Sequence, residues 1–376
     1  MSTACDFTLL STCGTARRGQ LTTAHGCIDT PAFMPVGTYG AVKGLSPDQL
    51  AATGTQILLA NTYHLMLRPG ADVVRQLGGL HRLMNWNRPI LTDSGGYQVF
   101  SLAELRRLDD DGVEFRSHLD GTLVRLTPEA AISVQNQLGA DIIMVLDECP
   151  PLPSERSRLA AAVQRTLAWA RRSRQAHRRT DQALFGIVQG GLELDLRRSC
   201  LEQLRQIGFD GYALGGLSVG ETPRELHSFL RAFAHELPAE QPRYLMGVGT
   251  PADLAHAVGA GLDLFDCVLP TRNGRKGYAF TSAGTVRLRN ACHKLDDRPL
   301  DPTCDCYTCR GFERGYLRHL IMCGETLGGT LVSLHNVHYF QALMRQMREA
   351  IVNRTFEDWQ RAFLAGPAAA NTRDDE

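Results

Sequence analysis

The sequence predicts an α/β protein, a (β/α)8 barrel (TIM barrel) with a metal-binding subdomain appended after its eighth strand. Three observations favour this fold. Eight short apolar runs recur along the chain, stretches typical of helices lie between many of them, and three closely spaced cysteines follow the last run. A doubly wound open sheet is the alternative that the same alternation allows.

The predicted strands are continuous apolar runs, as expected for parallel strands that are buried on both faces. Each is followed directly by a polar residue or a glycine. The runs occupy residues 32–36, 57–60, 90–91, 142–146, 184–188, 212–214, 244–246 and 262–265.

The predicted helices have recognisable ends. Four begin with a hydroxyl residue followed by proline: Ser46-Pro47, Thr127-Pro128, Thr222-Pro223 and Thr250-Pro251. The hydroxyl oxygen accepts a hydrogen bond from an N–H that would otherwise be unpaired, and proline has no N–H to leave unpaired there. Glycine ends several helices, at Gly54, Gly139 and Gly208.

The pattern changes after the eighth strand. Residues 268–320 hold ten Lys and Arg against five Asp and Glu, together with the clustered cysteines. We expect residues 1–270 to form the barrel and its site, residues 271–340 a basic metal-binding insertion, residues 341–365 a helical segment that closes the barrel, and residues 366–376 a flexible tail.

Composition narrows the class of protein. Of 376 residues, 43% are hydrophobic and 21% charged, which excludes collagen-like and disordered chains. The 40 basic and 40 acidic residues cancel, so total charge neither favours nor excludes a nucleic-acid partner. No apolar stretch approaches the roughly 18–20 residues that span a bilayer, and no signal peptide is recognisable. We therefore expect a cytoplasmic protein whose 11 cysteines are packing residues or metal ligands.

Barrel enzymes carry their catalytic groups at the carboxyl ends of the strands. Two carboxylates, Asp147 and Asp266, and the amide of Gln189 directly follow predicted strands, and a third carboxylate, Asp93, follows one after a single threonine, so we expect them to converge on one mouth. Such a set suits hydrogen bonding to a planar polar ring and carboxylate chemistry on a glycosidic bond.

Each carboxylate also has a purely structural alternative. Asp266 precedes a proline turn and two arginines, which suits a nucleophile beside a phosphate-binding loop or a salt bridge. Asp93 precedes a Ser-Gly-Gly turn whose N–H groups could approach a ligand, or it caps the next helix. Asp147 could accept hydrogen bonds from a guanine-like edge. Alternatively, the adjacent carboxylates of Asp147 and Glu148 take part in a buried ion pair with a basic residue.

Glycine-rich turns at other strand ends could bring backbone N–H groups to a ligand. The Gly215-Gly216 turn follows the sixth predicted strand, and Tyr97 could stack on a flat base. Residues 246–254 (MGVGTPADL) combine a glycine-rich strand end with a capped helix start, which indicates a phosphate site. Ordinary turns, and a solvated side chain for Gln189, remain the alternatives.

A C-x-C-x2-C motif, Cys304, Cys306 and Cys309, lies in the basic stretch. Three thiolates and one imidazole satisfy tetrahedral Zn2+ without an open position, so we expect one structural zinc ion. The candidates for the fourth ligand are His335, His338, His319 and Cys323.

Taken together, the motifs resemble tRNA-guanine transglycosylases of the bacterial type. The matching segments run from about residue 30 to residue 340, in the family's order: PAFMPVGTYGAVKGL, ANTYHLMLRPG, ILTDSGGYQVFSL, VLDECPP, FGIVQGG, YALGGLSVGE, RYLMGVGTP, LFDCVLPTRNGR, PLDPTCDCYTCR and SLHN. The family has a (β/α)8 barrel with a zinc-binding insertion, in agreement with the fold predicted from the residues.

The resemblance implies a pentosyltransferase that exchanges the wobble guanine of tRNAs with GUN anticodons (the Asp, Asn, His and Tyr acceptors) for a 7-deazaguanine in queuosine biosynthesis. It also implies a homodimer. By the same resemblance Asp266 is the nucleophile, Asp93 the general acid and base, and His335 the fourth zinc ligand.

The resemblance also assigns residues to base binding and to tRNA binding. The expected base-binding residues are Asp93, Ser94, Gly95, Gly96, Tyr97, Asp147, Gln189, Gly215, Gly216, Leu217 and Met246, with Tyr97 and Met246 sandwiching the ring. The expected tRNA-contacting residues are Gly247, Val248, Gly249, Thr250, Pro251, Ala252, Asp253, Thr271, Arg272, Asn273, Gly274 and Arg275.

The incoming base is inferred from two positions. Cys149 and Val219 resemble the bacterial members, which take 7-aminomethyl-7-deazaguanine. Eukaryotic-type members take the bulkier queuine and tend to have a smaller residue at the second position, so a queuine-accepting enzyme is the alternative.

Three other classes of protein compete with this interpretation. A non-catalytic tRNA-binding subunit would be expected to lack the nucleophile. A zinc-dependent hydrolase needs metal ligands at the strand ends and an open coordination position. An archaeosine-type transglycosylase usually carries further RNA-binding domains.

Overall fold

The computed structural model describes residues 4–102 and 106–370. The strands are β1 (Asp6–Cys13), β2 (Ala16–Thr23), β3 (Gly26–Thr30), β4 (Ala32–Gly37), β5 (Leu58–Ala60), β6 (Ile90–Thr92), β7 (Arg106–Asp109), β8 (Gly112–Arg116), β9 (Leu123–Leu126), β10 (Ile142–Met144), β11 (Ala183–Val188), β12 (Gly211–Leu214), β13 (Arg243–Leu245), β14 (Leu264–Cys267), β15 (Tyr278–Thr281) and β16 (Gly284–Arg287). The α-helices are α1 (Pro47–Ala52), α2 (Thr62–Leu67), α3 (Ala71–Gln76), α4 (Gly79–Met84), α5 (Gly96–Leu102), α6 (Pro128–Leu138), α7 (Arg156–Ala176), α8 (Leu194–Ile207), α9 (Pro223–Phe233), α10 (Pro251–Gly259), α11 (Leu269–Lys276), α12 (Tyr307–Gly311), α13 (Arg314–Cys323), α14 (Thr326–Val352) and α15 (Phe356–Ala365).

Eight parallel strands close into a barrel in the order β4-β5-β6-β10-β11-β12-β13-β14. Each of them overlaps one of the eight predicted apolar runs, so the predicted barrel is confirmed. The ring closes where β14 pairs with β4, with Asp266 opposite Met34. An open doubly wound sheet would lack this pairing. Burial between the barrel interior and the surrounding helices explains why these strands are apolar on both faces.

The four predicted helix starts are confirmed as the N-caps of α1, α6, α9 and α10: Ser46, Thr127, Thr222 and Thr250. In each case the side-chain oxygen accepts a hydrogen bond from the backbone N–H three residues further on. These caps fix where each of the four helices begins.

Among the residues that the structure describes, three small antiparallel sheets lie outside the barrel, and the sequence motifs did not predict them. One is formed by β1, β2 and β3, a second by β7, β8 and β9, and a third by β15 and β16. The first packs against α10 and α14. The second buries Val113, Phe115 and Leu126. These strands mix polar with apolar residues, a weaker signal than the continuous runs of the barrel.

Helix α14 connects the appended subdomain to the barrel. Its first half brings His335 to the clustered cysteines, and its second half packs on β4 and the N-terminal sheet. The Gln341 amide donates to the Phe33 carbonyl at 3.0 Å. The predicted domain boundary at residue 340 therefore falls inside one continuous helix.

Two further sequence expectations concern the chain's end and membranes. Residues 371–376 of the predicted tail lie outside the described residues. In the part of the chain that the structure describes, no helix has the length and apolar character needed to cross a membrane.

Candidate active site

A cavity of about 470 Å³ opens at the carboxyl ends of the barrel strands. Its lining includes Asp93, Ser94, Tyr97, Asp147, Gly215, Gly216, Leu217, Met246, Gly247 and Asp266. Closure of the barrel thus brings together predicted residues from five strand ends. Both predicted stacking residues, Tyr97 and Met246, line the cavity. Tyr97 is half exposed and Met246 is partly buried. The volume suits a ligand the size of a purine base.

Three hydrogen-bond donors surround the Asp93 carboxylate after β6. The Thr62 N–H donates to Oδ1 at 2.8 Å, and the Asn61 and Gln98 amides donate to Oδ2 at 2.5 and 2.9 Å. None of these is a backbone N–H of α5, so the donors do not match the helix-cap alternative. Burial raises the pKa of Asp93 to about 6, although the hydrogen bonds favour the ionised form. A carboxyl that titrates near neutrality can both give and take a proton.

Asp266, in β14, lies between two donors at the cavity wall. The Tyr244 hydroxyl donates to its Oδ1 at 2.6 Å and the Gly247 N–H donates to the same oxygen at 2.8 Å. Burial raises the pKa of Asp266, while both hydrogen bonds oppose that rise. These partners are a hydroxyl and an N–H, in contrast to the arginine that the salt-bridge alternative requires.

Asp147 and Glu148 are adjacent after β10 but have different surroundings. Asp147 accepts hydrogen bonds from the Gln189 amide at 2.7 Å and the Ser94 hydroxyl at 3.2 Å. Burial raises the pKa of Asp147 to about 6. Glu148 is fully buried and pairs with two arginines of α7. The buried ion pair therefore belongs to Glu148, and Asp147 faces the cavity.

Gln189 lies against the Gly215-Gly216 turn. A Cβ on Gly215 would lie 2.7 Å from the Gln189 amide nitrogen, and one on Gly216 would clash with its amide oxygen. Gly216 also has a φ of +65°, which side chains disfavour. Glycine at both positions therefore allows the turn to approach Gln189 while Leu217, the next residue, lines the cavity.

The turn between β6 and α5 forms another wall of the cavity. The Gly96 N–H donates to the Ser94 hydroxyl at 3.1 Å, and Gly95 has a φ of +81°. A Cβ on Gly96 would lie 2.9 Å from the Asp147 carbonyl oxygen. The glycines therefore allow this turn to pack closely on the loop that follows β10.

The first segment predicted to contact RNA, residues 247–253, is exposed only in part. Gly247 is exposed and Ala252 is partly exposed. Val248 and Asp253 are buried, and Asp253 Oδ1 lies 2.7 Å from His227 Nε2. The buried side chains of this segment thus hold its exposed backbone in place.

The second segment, residues 271–275, forms part of α11. Arg275 is exposed and Arg272 partly exposed, whereas Asn273 is buried. Gly274 lies where α11 crosses α14, because a Cβ there would come within 2.6 Å of the Ser333 backbone. The two arginines are therefore the members of this segment that are accessible to a large ligand.

Cys304, Cys306, Cys309 and His335 come together as predicted, with their ligand atoms all within 4.8 Å of one another. The His335 Nδ1 lies 3.7, 3.5 and 3.3 Å from the three sulfur atoms, in chain order. Its Nε2 lies 2.8 Å from the Phe280 carbonyl oxygen, so an N–H there would leave the Nδ1 lone pair for a metal. The cluster could hold a metal ion.

The competing candidates for the fourth ligand have other partners. His338 Nε2 lies 3.0 Å from an Asp305 oxygen, and His319 Nδ1 lies 3.7 Å from Cys323 Sγ. Among the described residues, the four cluster members do not line the cavity. This separation differs from the open metal site that a zinc hydrolase needs.

A second group of possible metal ligands, His25, His81 and Asp141, lies at the amino end of the barrel. The Asp141 carboxylate lies 2.7 Å from His25 Nδ1 and 3.0 Å from His81 Nε2. The two imidazole rings stack 3.5 Å apart at an angle of 13°. A metal lies in the plane of each imidazole that binds it, and two parallel planes cannot share one ion. We therefore interpret this group as a hydrogen-bonded contact.

Sequence reasoning missed three residues that shape the site. Asn61 directly follows β5, so the strand-end rule applied to the second run would have found it. Tyr244 lies inside a predicted strand, and its buried hydroxyl requires a partner, which Asp266 supplies. Gln98 carries no such signal, because its contact with Asp93 depends on the direction of α5.

Comparisons with known proteins cover nearly the whole chain. A family model described as queuine tRNA-ribosyltransferase matches residues 12–368. A queuine tRNA-ribosyltransferase of Syntrophobacter fumaroxidans is 56% identical over 348 residues, which cover 93% of each chain. One of Nitrosomonas europaea is 57% identical over 348 residues, which cover 93% of this chain and 94% of the relative. The similarity therefore includes the barrel, the cavity and the cysteine cluster.

Proposed function

Since the chain belongs to the queuine tRNA-ribosyltransferase family, whose members are tRNA-guanine transglycosylases, we propose that it exchanges the wobble guanine of GUN-anticodon tRNAs for 7-aminomethyl-7-deazaguanine. The exchange is a covalent double displacement and the first tRNA-level step of queuosine biosynthesis. The observation that supports it is the partly buried Asp266 carboxylate, which two donors orient in the same base-sized cavity as Asp93.

Asp266 supplies the attacking oxygen. Its Oδ1 accepts the hydrogen bonds from Tyr244 and Gly247, so we assign the attack to Oδ2. In the first displacement, Oδ2 bonds to the ribose C1′ as the bond from C1′ to guanine N9 breaks, through an oxocarbenium-like transition state. The ribose is then held covalently by Asp266, and the phosphodiester chain of the tRNA stays intact.

Asp93 moves the protons. Its carboxyl gives a proton to the departing guanine, and the resulting carboxylate takes the N9 proton of the incoming deazaguanine, whose nitrogen displaces Asp266 from C1′. A pKa of about 6 keeps both forms accessible near neutral pH. One glycosidic bond replaces another, so no energy source is required, and two inversions restore the configuration of C1′.

Asp147, Gln189 and the Gly216 turn recognise the edge of the base. The Asp147 carboxylate accepts hydrogen bonds from the ring N–H and exocyclic amine of a guanine-like base, and amide and backbone N–H groups donate to its carbonyl. Tyr97 and Met246, which line the cavity from different strand ends, stack on the ring. Flipping the base into the cavity costs little because a loop base is only partly stacked.

The choice of incoming base depends on Cys149 and Val219, which both line the cavity. They are the residues that resemble the bacterial members, so we favour 7-aminomethyl-7-deazaguanine. Queuine is the second candidate, because the relatives are named as queuine tRNA-ribosyltransferases. Competition between the two bases for incorporation into tRNA distinguishes them: queuine should fail to displace 7-aminomethyl-7-deazaguanine at equal concentration.

The tRNA is held by exposed groups around the cavity. We assign contacts with its backbone to Gly247, Arg272 and Arg275, whereas buried Val248 and Asp253 keep the first segment in shape. The excess of positive charge over residues 268–320 supplies phosphate affinity although the whole chain is neutral. The expected acceptors are the Asp, Asn, His and Tyr tRNAs.

Zinc has a structural role in this proposal. Three thiols and one imidazole are the donors that structural Zn2+ prefers, so Cys304, Cys306, Cys309 and His335 would hold it. Four protein ligands leave no open position, so the ion stabilises the basic subdomain and takes no part in the base exchange. We further propose that the protein acts as a homodimer in the cytoplasm.

The deciding experiment compares the chain with Asp266→Asn. Only the unsubstituted chain should incorporate labelled guanine into tRNA. Only the unsubstituted chain should form a protein–tRNA adduct that survives on a denaturing gel. We expect the variant to lose roughly a thousandfold or more in exchange rate. Asp358→Asn, which changes an exposed carboxylate on α15, is the control and should alter neither readout. An adduct in Asp266→Asn would overturn the assignment, and no exchange by the purified unsubstituted chain would indicate a non-catalytic subunit.

A further inference from the structure

Arg197, near the start of α8, carries a buried positive charge that the reaction above does not use. Its side chain has 0% exposure, and its guanidinium carbon lies 5.0 Å from the centre of the Phe229 ring. Burial lowers the pKa of Arg197 to about 10, so the side chain remains charged at neutral pH. Its hydrogen bonds go to carbonyl oxygens and none of them to a carboxylate. A buried charge is costly unless its N–H groups are well paired, so these contacts must be specific.

The guanidinium binds two segments at once, the end of β11 with the loop after it and the turn after β12, and the second of these lines the cavity. Nε donates to the Gly191 carbonyl at 2.8 Å, Nη1 to the Val188 carbonyl, and Nη2 to the Gly216 carbonyl at 3.5 Å. Val188 ends β11 and Gly191 lies in the loop that follows it, on either side of Gln189, and Gly216 belongs to the turn after β12. Arg197 therefore contacts the backbone on both sides of Gln189.

These loops need an external support. Gly190, Gly191 and Gly216 have φ angles of +138°, +59° and +65°, and glycine is the residue with the greatest backbone freedom. One backbone hydrogen bond joins the loops directly, from the Gly215 N–H to the Val188 carbonyl at 3.2 Å. A planar guanidinium adds donors in a rigid arrangement, which fixes the orientation of the carbonyl groups as well as their separation.

The Gly216 peptide links the guanidinium to the cavity. Its carbonyl accepts the hydrogen bond from Arg197, and its other end is the N–H of Leu217, a residue that lines the cavity. A hydrogen bond from a cation to the carbonyl polarises the peptide group, so its N–H becomes a stronger donor. A carbonyl oxygen on the bound base would benefit from that donor.

We propose that Arg197 is a positioning residue for base recognition, which holds Gln189 and the Gly216–Leu217 peptide in the geometry that binds a guanine-like base. It acts through these groups and does not contact the base itself. The inference rests on the proposed function, because it concerns the same cavity. Loss of the Arg197 side chain should weaken binding of the free base more than binding of tRNA, because the residues assigned to contacts with the tRNA backbone lie after β13 and β14.

The test uses Arg197→Met and Arg197→Lys in the full chain, with exchange of labelled guanine into tRNA as the assay. Methionine retains the contact with Phe229 but donates no hydrogen bond, whereas lysine retains the charge but cannot reproduce the planar arrangement of donors. We expect the KM for guanine to rise about tenfold in Arg197→Met and about threefold in Arg197→Lys, with the KM for tRNA changed by less than about twofold. Arg198→Met, which removes an exposed partner of Glu236 from the same helix, is the matched control and should change neither KM.

The outcomes separate this inference from the proposed function. An unchanged KM for guanine in Arg197→Met, with exchange by the unsubstituted chain intact, would overturn the inference alone. Equal rises in both KM values would also overturn it, because a general loss of structure affects both substrates. If the unsubstituted chain incorporates no guanine, the proposed function fails and the inference fails with it. If Arg197→Met does not fold by circular dichroism, the same comparison in Arg197→Lys decides.

Discussion

Replacing Asp147 by asparagine should stabilise the protein at neutral pH while it weakens base binding. The carboxylate has 5% exposure, and its charge is met by two neutral donors, the Gln189 amide and the Ser94 hydroxyl. Asparagine has the same shape and keeps one oxygen for Ser94, and a rotated Gln189 amide can accept from its NH2 group. The substitution therefore removes a desolvated charge without leaving a polar group unpaired.

The magnitude follows from the pKa of Asp147. Burial raises it from the usual 3.8 to about 6, and each pH unit corresponds to about 1.4 kcal/mol. The native state thus binds the proton more tightly than the unfolded state does. Ionised Asp147 lowers the free energy of unfolding by about 3 kcal/mol at a pH above about 6. This cost develops between pH 3.8 and about 6 and is absent below that range.

Urea unfolding followed by circular dichroism at about pH 7.5 and about pH 5 measures this effect. We expect Asp147→Asn to raise the free energy of unfolding by about 1–3 kcal/mol at the higher pH and by roughly half as much at the lower pH. The KM for guanine should rise at the same time, because asparagine accepts fewer hydrogen bonds. An equal gain at both pH values, or a less stable variant at neutral pH, would refute the reasoning.

Four other perturbations address the nucleophile, the proton carrier, the metal and the tRNA surface. Tyr244→Phe removes the donor to Asp266 and should lower kcat about tenfold in steady-state exchange with little change in the KM for tRNA; an unchanged kcat would contradict this role. Formation of the protein–tRNA adduct by the unsubstituted chain should slow as the pH rises above about 6, because Asp93 must give a proton in the first displacement; a pH–rate profile of adduct formation without this decline would argue against it. Chelation of the metal, confirmed by metal analysis, should lower the melting temperature and the tRNA affinity together, and retained tRNA affinity in metal-free protein would argue against a structural zinc. Arg275→Ala should weaken tRNA binding in filter assays and reduce its salt dependence by about one charge while the KM for guanine stays constant, and an unchanged salt dependence would exclude a phosphate contact.

The barrel and the positions of its catalytic candidates were predictable because both depend on local sequence. Strands buried on both faces must be continuous apolar runs, and the residue after each run must lie at the carboxyl end of the barrel. This reasoning locates Asp147 and Asp266 directly, and Asp93 one residue further on. The same rule would also have located Asn61. The antiparallel sheets were not predicted, because strands that mix polar with apolar residues carry a weaker pattern.

Local sequence patterns identify which residue types lie at the mouth of the barrel and which thiols could share a metal. The partners of these residues depend on the tertiary structure: Glu148 forms the ion pair while Asp147 faces the cavity, Tyr244 donates to Asp266, and Arg197 donates to the Gly191 carbonyl. Hydrogen bonds and burial depend on atoms that are far apart in the chain. These atoms come into contact only when the eight strands close into a ring, so no local sequence pattern predicts their contacts.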